Sequence, residues 1–223
     1  MDNLPAAFSQ FLAKYPTRKL KKGWPILYQG EIPRSAYVIK KGMIKVYDIS
    51  PNGEEKVVTF DSVGGILPSS WIFHKSPVSL YYFDAFTDCE VHAVPRQALV
   101  DMIHAHKEVL EYALDKYVSM YVTATMHIFA LEQTKSSDKL MRILQYLAMR
   151  FGSEISPGVQ RIDIKLTHLE LANMIGMTRE TTSVELGKLR KAKVISYTNQ
   201  RYTLNLVKIQ QIVGADEFKT VSL

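Results

Sequence analysis

Leu166-Thr167-His168-Leu169-Glu170-Leu171-Ala172-Asn173-Met174-Ile175-Gly176-Met177-Thr178-Arg179-Glu180-Thr181-Thr182-Ser183-Val184-Glu185-Leu186 is the stretch that decides the fold of this chain. Thr167, with Glu170 three positions on, has the spacing of a capping box, in which hydroxyl and carboxylate each accept from a free backbone N–H. Ala172 is small where a second helix must cross closely. Gly176, four residues later, supplies the positive φ that a tight inter-helix turn demands. Thr178 opens a second helix, with Thr181 three residues on, and Leu171, Ile175, Met177, Leu186 and Leu189 supply a buried face. The spacing predicts a helix-turn-helix.

The flanks extend it. Downstream, Val194-Ile195-Ser196-Tyr197 and Arg201-Tyr202-Thr203-Leu204 enclose the turn Thr198-Asn199-Gln200, a β-hairpin that makes the domain winged. Upstream, Lys139 to Phe151 is amphipathic, with Leu140, Ile143, Leu144, Leu147 and Phe151 on one face and Gly152 at its end. Ser156-Pro157-Gly158 reads as a turn and Arg161 to Ile164 as a short strand.

Charge agrees with a nucleic-acid partner. Residues 1–134 hold 14 Lys+Arg and 14 Asp+Glu, whereas residues 135–223 hold 14 and 8, so the whole net charge of +6 lies in the second part. A basic part beside a neutral one fits contact with phosphate, although a solvated basic surface gives the same count. Arg179 can meet guanine O6 and N7 bidentately, and Glu180 can accept from cytosine N4. The alternative is that both are solvated first-turn residues. Thr167, Thr178, Thr181, Thr182, Ser183, Lys188 and Arg201 complete the expected DNA-contacting set.

Thr178-Arg179-Glu180-Thr181 and Lys188-Leu189-Arg190 resemble the recognition helix of Crp/Fnr-type transcription regulators. The resemblance implies that Arg179 reads guanine, that Glu180 faces cytosine, and that RNA polymerase is a further partner. Val184 departs from it: many members carry a second base-reading Arg there, so the family's usual half-site is not carried over unchanged.

The first part has the punctuation of short strands. Trp24 to Tyr28, Ala36 to Ile39, Met43 to Tyr47, Glu55 to Phe60, Tyr81 to Phe86 and Glu90 to Val94 are separated by turn signals such as Ser50-Pro51-Asn52-Gly53. That spacing argues for an antiparallel barrel or sandwich. Lys22-Gly23, Leu27-Tyr28-Gln29-Gly30-Glu31, Tyr37-Val38-Ile39, Lys41 to Tyr47 and Gly53-Glu54-Glu55 resemble, in order, the jelly-roll sensor domain of the same family. In members that bind cyclic nucleotides, a Gly-Glu pair and an Arg-Ser/Thr-Ala triplet bracket the phosphate-binding segment. Here Gly64-Gly65 and Ser79-Leu80-Tyr81 stand in those places, so both charged contacts are missing and cyclic AMP is not expected. Trp71, Phe73, Tyr81, Tyr82 and Phe83 make the region aromatic. They are either ordinary core or an effector pocket involving Gly64, Gly65, Trp71, Ser79, Tyr81 and Tyr82.

Cofactor chemistry is sparse. The single cysteine, Cys89, excludes an internal disulfide and a four-cysteine iron–sulfur cluster carried by this chain. Isolated histidines such as His74 and His127 do not make haem an expectation, and no metal site is expected. No signal peptide or membrane span is read from the sequence, so a cytoplasmic location is expected.

Helical periodicity runs over residues 96–134. Leu110, Leu114, Tyr117, Tyr121, Ala124, Ile128 and Leu131 step by alternating fours and threes, a heptad seam that asks for a partner helix. A homodimer is the simplest source, and packing against its own β-roll is the alternative. Met120, Thr123 and His127 fall off the seam and are expected to couple an effector pocket to the dimer axis. Lys135-Ser136-Ser137-Asp138 reads as a hinge, with Ser137 as a cap for the next helix.

The expected fold is α+β: a jelly-roll sensor domain at 1–134 that includes a dimerisation helix at about 106–134, then a winged helix-turn-helix at 135–223. The expected function is a non-enzymatic regulator that binds a palindromic operator as a homodimer, with a small-molecule effector or none. Two alternatives stay open: a cupin-like jelly-roll enzyme fused to a DNA-binding tail, and a ligand-independent regulator.

Overall fold

The computed structural model describes residues 4–214. The expected domain ends at 1–3 and 215–223 lie outside them. Two compact units divide between Val118 and Ser119, within one long helix.

The first unit begins with α1 (Ala6–Leu12) and continues through β1 (Thr17–Leu20), β2 (Pro25–Leu27), β3 (Ala36–Lys41), β4 (Ile44–Ile49) and β5 (Glu55–Asp61). After β6 (Ile66–Leu67), the short α2 (Ser69–Ile72), β7 (Tyr82–Ala85) and β8 (Cys89–Val94) lead into α3 (Arg96–Ala105) and α4 (Lys107–Glu132). The strands form two antiparallel four-stranded sheets, ordered β1-β8-β3-β6 and β2-β7-β4-β5. Between the sheets lies one core, with Leu27, Ile39, Ile44, Phe83 and Val91 nearly inaccessible. A second core joins Val38 and Val94 to Phe8 and Leu12 of α1, Leu99 and Ile103 of α3, and Val109 and Ala113 of α4. Buried apolar side chains thus lie on both faces of the first sheet, and that is why β3 reads as an unbroken apolar run rather than an alternating one.

Helix 96–134 is not continuous. His106 adopts an extended conformation, φ −123° and ψ 112°, so α3 ends and α4 starts afresh one residue later. Neither Gly nor Pro marks that break, and periodicity alone carried no sign of it.

The second unit takes the end of α4, α5 (Ser136–Phe151), β9 (Gly152–Ser156), β10 (Val159–Ile162), α6 (His168–Ile175), α7 (Arg179–Lys191), β11 (Ile195–Thr198), β12 (Arg201–Asn205) and α8 (Leu206–Val213). Its sheet runs β11-β12-β10-β9. The strand expected at 161–164 is β10, two residues earlier, because β9 and β10 form a hairpin about Gly158, whose φ is +72°. Ser137 is not a cap: it lies inside α5, Lys135 is the N-cap residue, and the Ser137 hydroxyl donates to Asp138 Oδ1 at 3.0 Å. No helix among the described residues is long and apolar enough to cross a membrane.

Candidate nucleic-acid interface

The decisive stretch folds as its spacing requires. Thr167 Oγ1 accepts from Glu170 N at 3.1 Å, and Glu170 Oε2 accepts from Thr167 N at 2.6 Å, completing the capping box of α6. Gly176 ends α6 at φ +64° and ψ 36°, the left-handed conformation in which a Cβ would be strained. Thr178 caps α7, its Oγ1 accepting from Thr181 N at 3.1 Å. Leu171, Ala172, Ile175 and Leu186 are inaccessible, and they fix α6 and α7 against each other and against α5. The crossing therefore holds α7 by its apolar face and leaves its first turn in solvent.

Arg179, Glu180, Thr181 and Val184 are exposed on that turn and the next. Among the described residues Arg179 has no salt-bridge partner, so its guanidinium is available to a ligand. Ser183 is half-buried and Lys188 exposed, the latter bonded to Glu185 Oε1 at 2.7 Å. Arg201 opens β12 in the open. Thr182 is the exception within the expected set. It is fully buried and its hydroxyl donates to the Thr178 carbonyl at 2.9 Å, so it belongs to the fold and not to the contact surface. One helical step separates an edge-facing Thr from a core Thr, and residue type does not distinguish them.

His168 is the residue that sequence reasoning missed. Its Nδ1 shares a 2.7 Å hydrogen bond with Ser183 Oγ, the direction set by the tautomer. Its ring meets the edge of Tyr197 on the wing at 5.6 Å, and the Arg190 guanidinium lies 5.1 Å from the centre of that tyrosine. One imidazole thus ties the start of α6 to the recognition helix and to the wing. Burial, with the Arg179 charge in support, holds the His168 pKa below its ordinary value. The signal was available: a His following the capping Thr falls in the first turn of α6, beside the next helix.

The expected effector pocket is dispersed. Trp71 lies in the helix-covered core, with the Arg96 guanidinium 4.7 Å from its ring centre. Tyr81 packs against the inter-sheet core. Tyr82 is on the outer face of the second sheet, stacked on Tyr47 at 5.2 Å. Ser79 is buried, its hydroxyl donating to the Tyr81 carbonyl at 2.8 Å. Gly64 and Gly65 precede β6, and a Cβ on Gly65 would stand 3.0 Å from the Ser62 carbonyl and 3.2 Å from Ile39 Cδ1. The segment between β6 and β7 opens instead at Pro68-Ser69, where again no carboxylate stands. Met120, Thr123 and His127 belong to the second unit; His127 Nε2 hydrogen-bonds the Met174 carbonyl at 2.6 Å, and Thr123 donates to the Met120 carbonyl at 2.9 Å.

Along α4, Leu110, Leu114, Tyr121, Ala124, Ile128 and Leu131 are exposed, Tyr121 at 73%. Tyr117 is not: it turns to Phe73, ring centres 5.4 Å apart, and Val118 takes the exposed place beside it. A local shift of one residue in the seam explains the change. Among the described residues no group of three or more His, Cys, Asp or Glu is placed to hold a metal ion.

Comparison with known proteins adds a second line. Residues 17–106 match the cyclic nucleotide-binding domain and residues 138–211 the Crp-like helix-turn-helix domain. The chain is 28% identical over 197 residues to the global nitrogen regulator of Synechococcus elongatus, covering 86% of this chain and 87% of that protein. It is 25% identical over 190 residues to regulatory protein HlyX of Actinobacillus pleuropneumoniae, covering 84% and 77%. A mutant of CooA from Carboxydothermus hydrogenoformans has a similar fold, with a TM-score of 0.78 at 18% identity over 96% of this chain and 97% of that one.

Proposed function

The chain belongs to the Crp/Fnr family of DNA-binding transcription regulators, and from that premise we propose that it binds a palindromic operator as a homodimer that cyclic AMP does not gate. The observation that carries the dimer is the row of exposed apolar side chains at helical spacing on α4. Each such side chain gains about 1.5–3 kcal/mol on full burial, so several left in water on one line are best explained by a second copy of the helix. Two α7 helices would then enter successive major grooves about one helical turn apart. Arg179 and Glu180 read base edges, while Thr181, Ser183, Lys188, Arg201 and the first turn of α6 hold phosphate and register.

Cyclic AMP is disfavoured because a cyclic phosphate needs a cation and a ribose needs an acceptor. Ser79 supplies neither charge, and both Gly65 and Ser69 lack a carboxylate. The sensor unit is then gated by another ligand or is ungated. The protein works in the cytoplasm with RNA polymerase as partner and without catalytic activity of its own. Binding-site selection from random duplex DNA tests this proposal. An enriched palindrome with half-sites about ten base pairs apart is expected; enrichment of a single half-site bound by a monomer would overturn it.

A further inference from the structure

The basic residues of the first unit are not spread evenly. Five of the 14 cations in residues 1–134 are lysines at 19, 21, 22, 40 and 41, close together around one end of the β-roll. The acidic residues that line this end with them are Asp88 and Glu90, and both are engaged. Asp88 accepts from Lys21 Nζ at 3.1 Å and from Lys22 N at 3.0 Å, and Glu90 pairs with Lys40 at 3.3 Å. Among the described residues Lys19 and Lys41, which flank Glu90 on the neighbouring strands, are in no salt bridge, although the charge of Lys41 is felt at Asp88.

These two lysines rim a hollow of about 400 Å³. Its floor is apolar, made by Leu20 at 4% exposure and Cys89 at 3%. The Cys89 thiol donates to the Met43 carbonyl at 3.0 Å, and burial pushes its pKa up, so the floor stays uncharged. Gly42, at φ +88°, closes against Cys89: a Cβ there would stand 2.7 Å from Sγ. One wall is the Trp24 indole, a large ring left more than half in solvent. Lys21 and the carboxylates of Asp88 and Glu90 complete the lining, so three lysines face two carboxylates and the hollow keeps a net positive charge. A hollow of this size with an apolar floor, an aromatic wall and a cationic excess has the composition of a small-molecule site.

We propose that this hollow binds a small aromatic organic acid, its ring against Trp24 and its carboxylate between Lys19 and Lys41. Ring contact with an indole and a charge-assisted hydrogen bond supply complementary halves of one ligand. A neutral aromatic leaves the lysines unanswered, and inorganic phosphate leaves the indole in water. The site lies wholly within the first unit, at the opposite ends of β3 and β8 from β6 and α3, and the inference does not rest on the reading of DNA binding.

The chain has two tryptophans, of which Trp71 is only 7% exposed, so the full-length ¹⁵N-labelled protein gives two indole N–H signals that report separately. Titration with 2-naphthoate is expected to shift the Trp24 signal saturably. Inorganic phosphate and 2-naphthylmethylamine, which carry one half of the ligand or the wrong charge, are expected not to saturate it below tenfold higher concentration. Lys19→Gln with Lys41→Gln should weaken naphthoate at least tenfold, with the remaining spectrum unchanged. Equal shifts from the amine, no saturable shift at millimolar naphthoate, or undiminished binding to the double variant would each overturn the proposal. An acidic peptide that moved the Trp24 signal where naphthoate did not would assign the surface to a protein partner and overturn it as well.

Discussion

Truncating Arg179 is the most direct test of how this protein reads sequence. Arg179 is the first residue of α7, exposed and without a salt bridge among the described residues, so Arg179→Ala leaves no buried group unsatisfied. The change in folding stability should stay within about 0.5 kcal/mol, and the dimer should be intact by sedimentation. A bidentate arginine–guanine pair discriminates by about 1–3 kcal/mol, and a symmetric operator uses it twice, so the full site should lose about 2–6 kcal/mol. At about 1.4 kcal/mol per tenfold, that is roughly 30-fold at the least and more than 10⁴-fold at the most. Fluorescence anisotropy at one fixed salt concentration, against the selected operator and against one with the contacted G·C pairs exchanged, reads the effect. The variant should bind both duplexes alike. If it keeps the wild-type ratio between them, Arg179 reads no base. If it instead loses affinity for all DNA equally, with a shallower salt dependence, Arg179 is a phosphate contact and the readout assignment falls.

Three other outcomes are expected. Tyr121→Asp puts a charge on the most exposed ring of the α4 seam and should convert dimer to monomer in sedimentation; a variant still dimeric at micromolar concentration would count against the seam. His168 has a lowered pKa in the fold, so the unfolded chain binds more protons; its contribution to stability is present above about pH 6.5 and is lost as pH falls through the folded pKa. The melting temperature of the native protein should therefore drop more steeply on acidification below that point than that of His168→Gln, and identical slopes would remove the histidine from the account. Cyclic AMP at a hundredfold excess over a micromolar dissociation constant would stabilise a binder by about 2.7 kcal/mol; no shift in melting temperature is expected, and a rise of several degrees would restore the cyclic nucleotide as effector.

Much of this was legible because local chemistry and global fold agree in the second half of the chain. A capping box, a left-handed glycine and a second Thr cap each specify a backbone conformation by themselves, and here they fall at the intervals one supersecondary unit requires. The β-roll strands were legible from turn residues, although β1 and β6 were not, being four and two residues long and lacking alternation. What escaped was what depends on partners distant in sequence. Thr181 and Thr182 are chemically alike, and only the α6–α7 crossing makes one a surface residue and the other core. Tyr81, just before β7, packs on the inter-sheet core, whereas Tyr82, the first residue of β7, lies on the outer face and its neighbour Phe83 on the inner one, so adjacency in sequence, which suggested a shared pocket, divides the rings between two environments.

The same rule bears on where a ligand can act in this protein. A pocket assembled from neighbouring aromatic residues needs a loop or helix, since a strand divides its side chains between two environments. The segment between β6 and β7 has a short helix, but Trp71 on it is committed to the core and covered by Arg96. The hollow at Trp24 differs because its residues come from β1, the turn after it, and the ends of β3 and β8, three separate stretches converging on one edge of the roll. Convergence of distant stretches is what a sequence pass along the chain is least able to register. It is also what sets an exposed indole beside an apolar floor and a lining with more lysines than carboxylates.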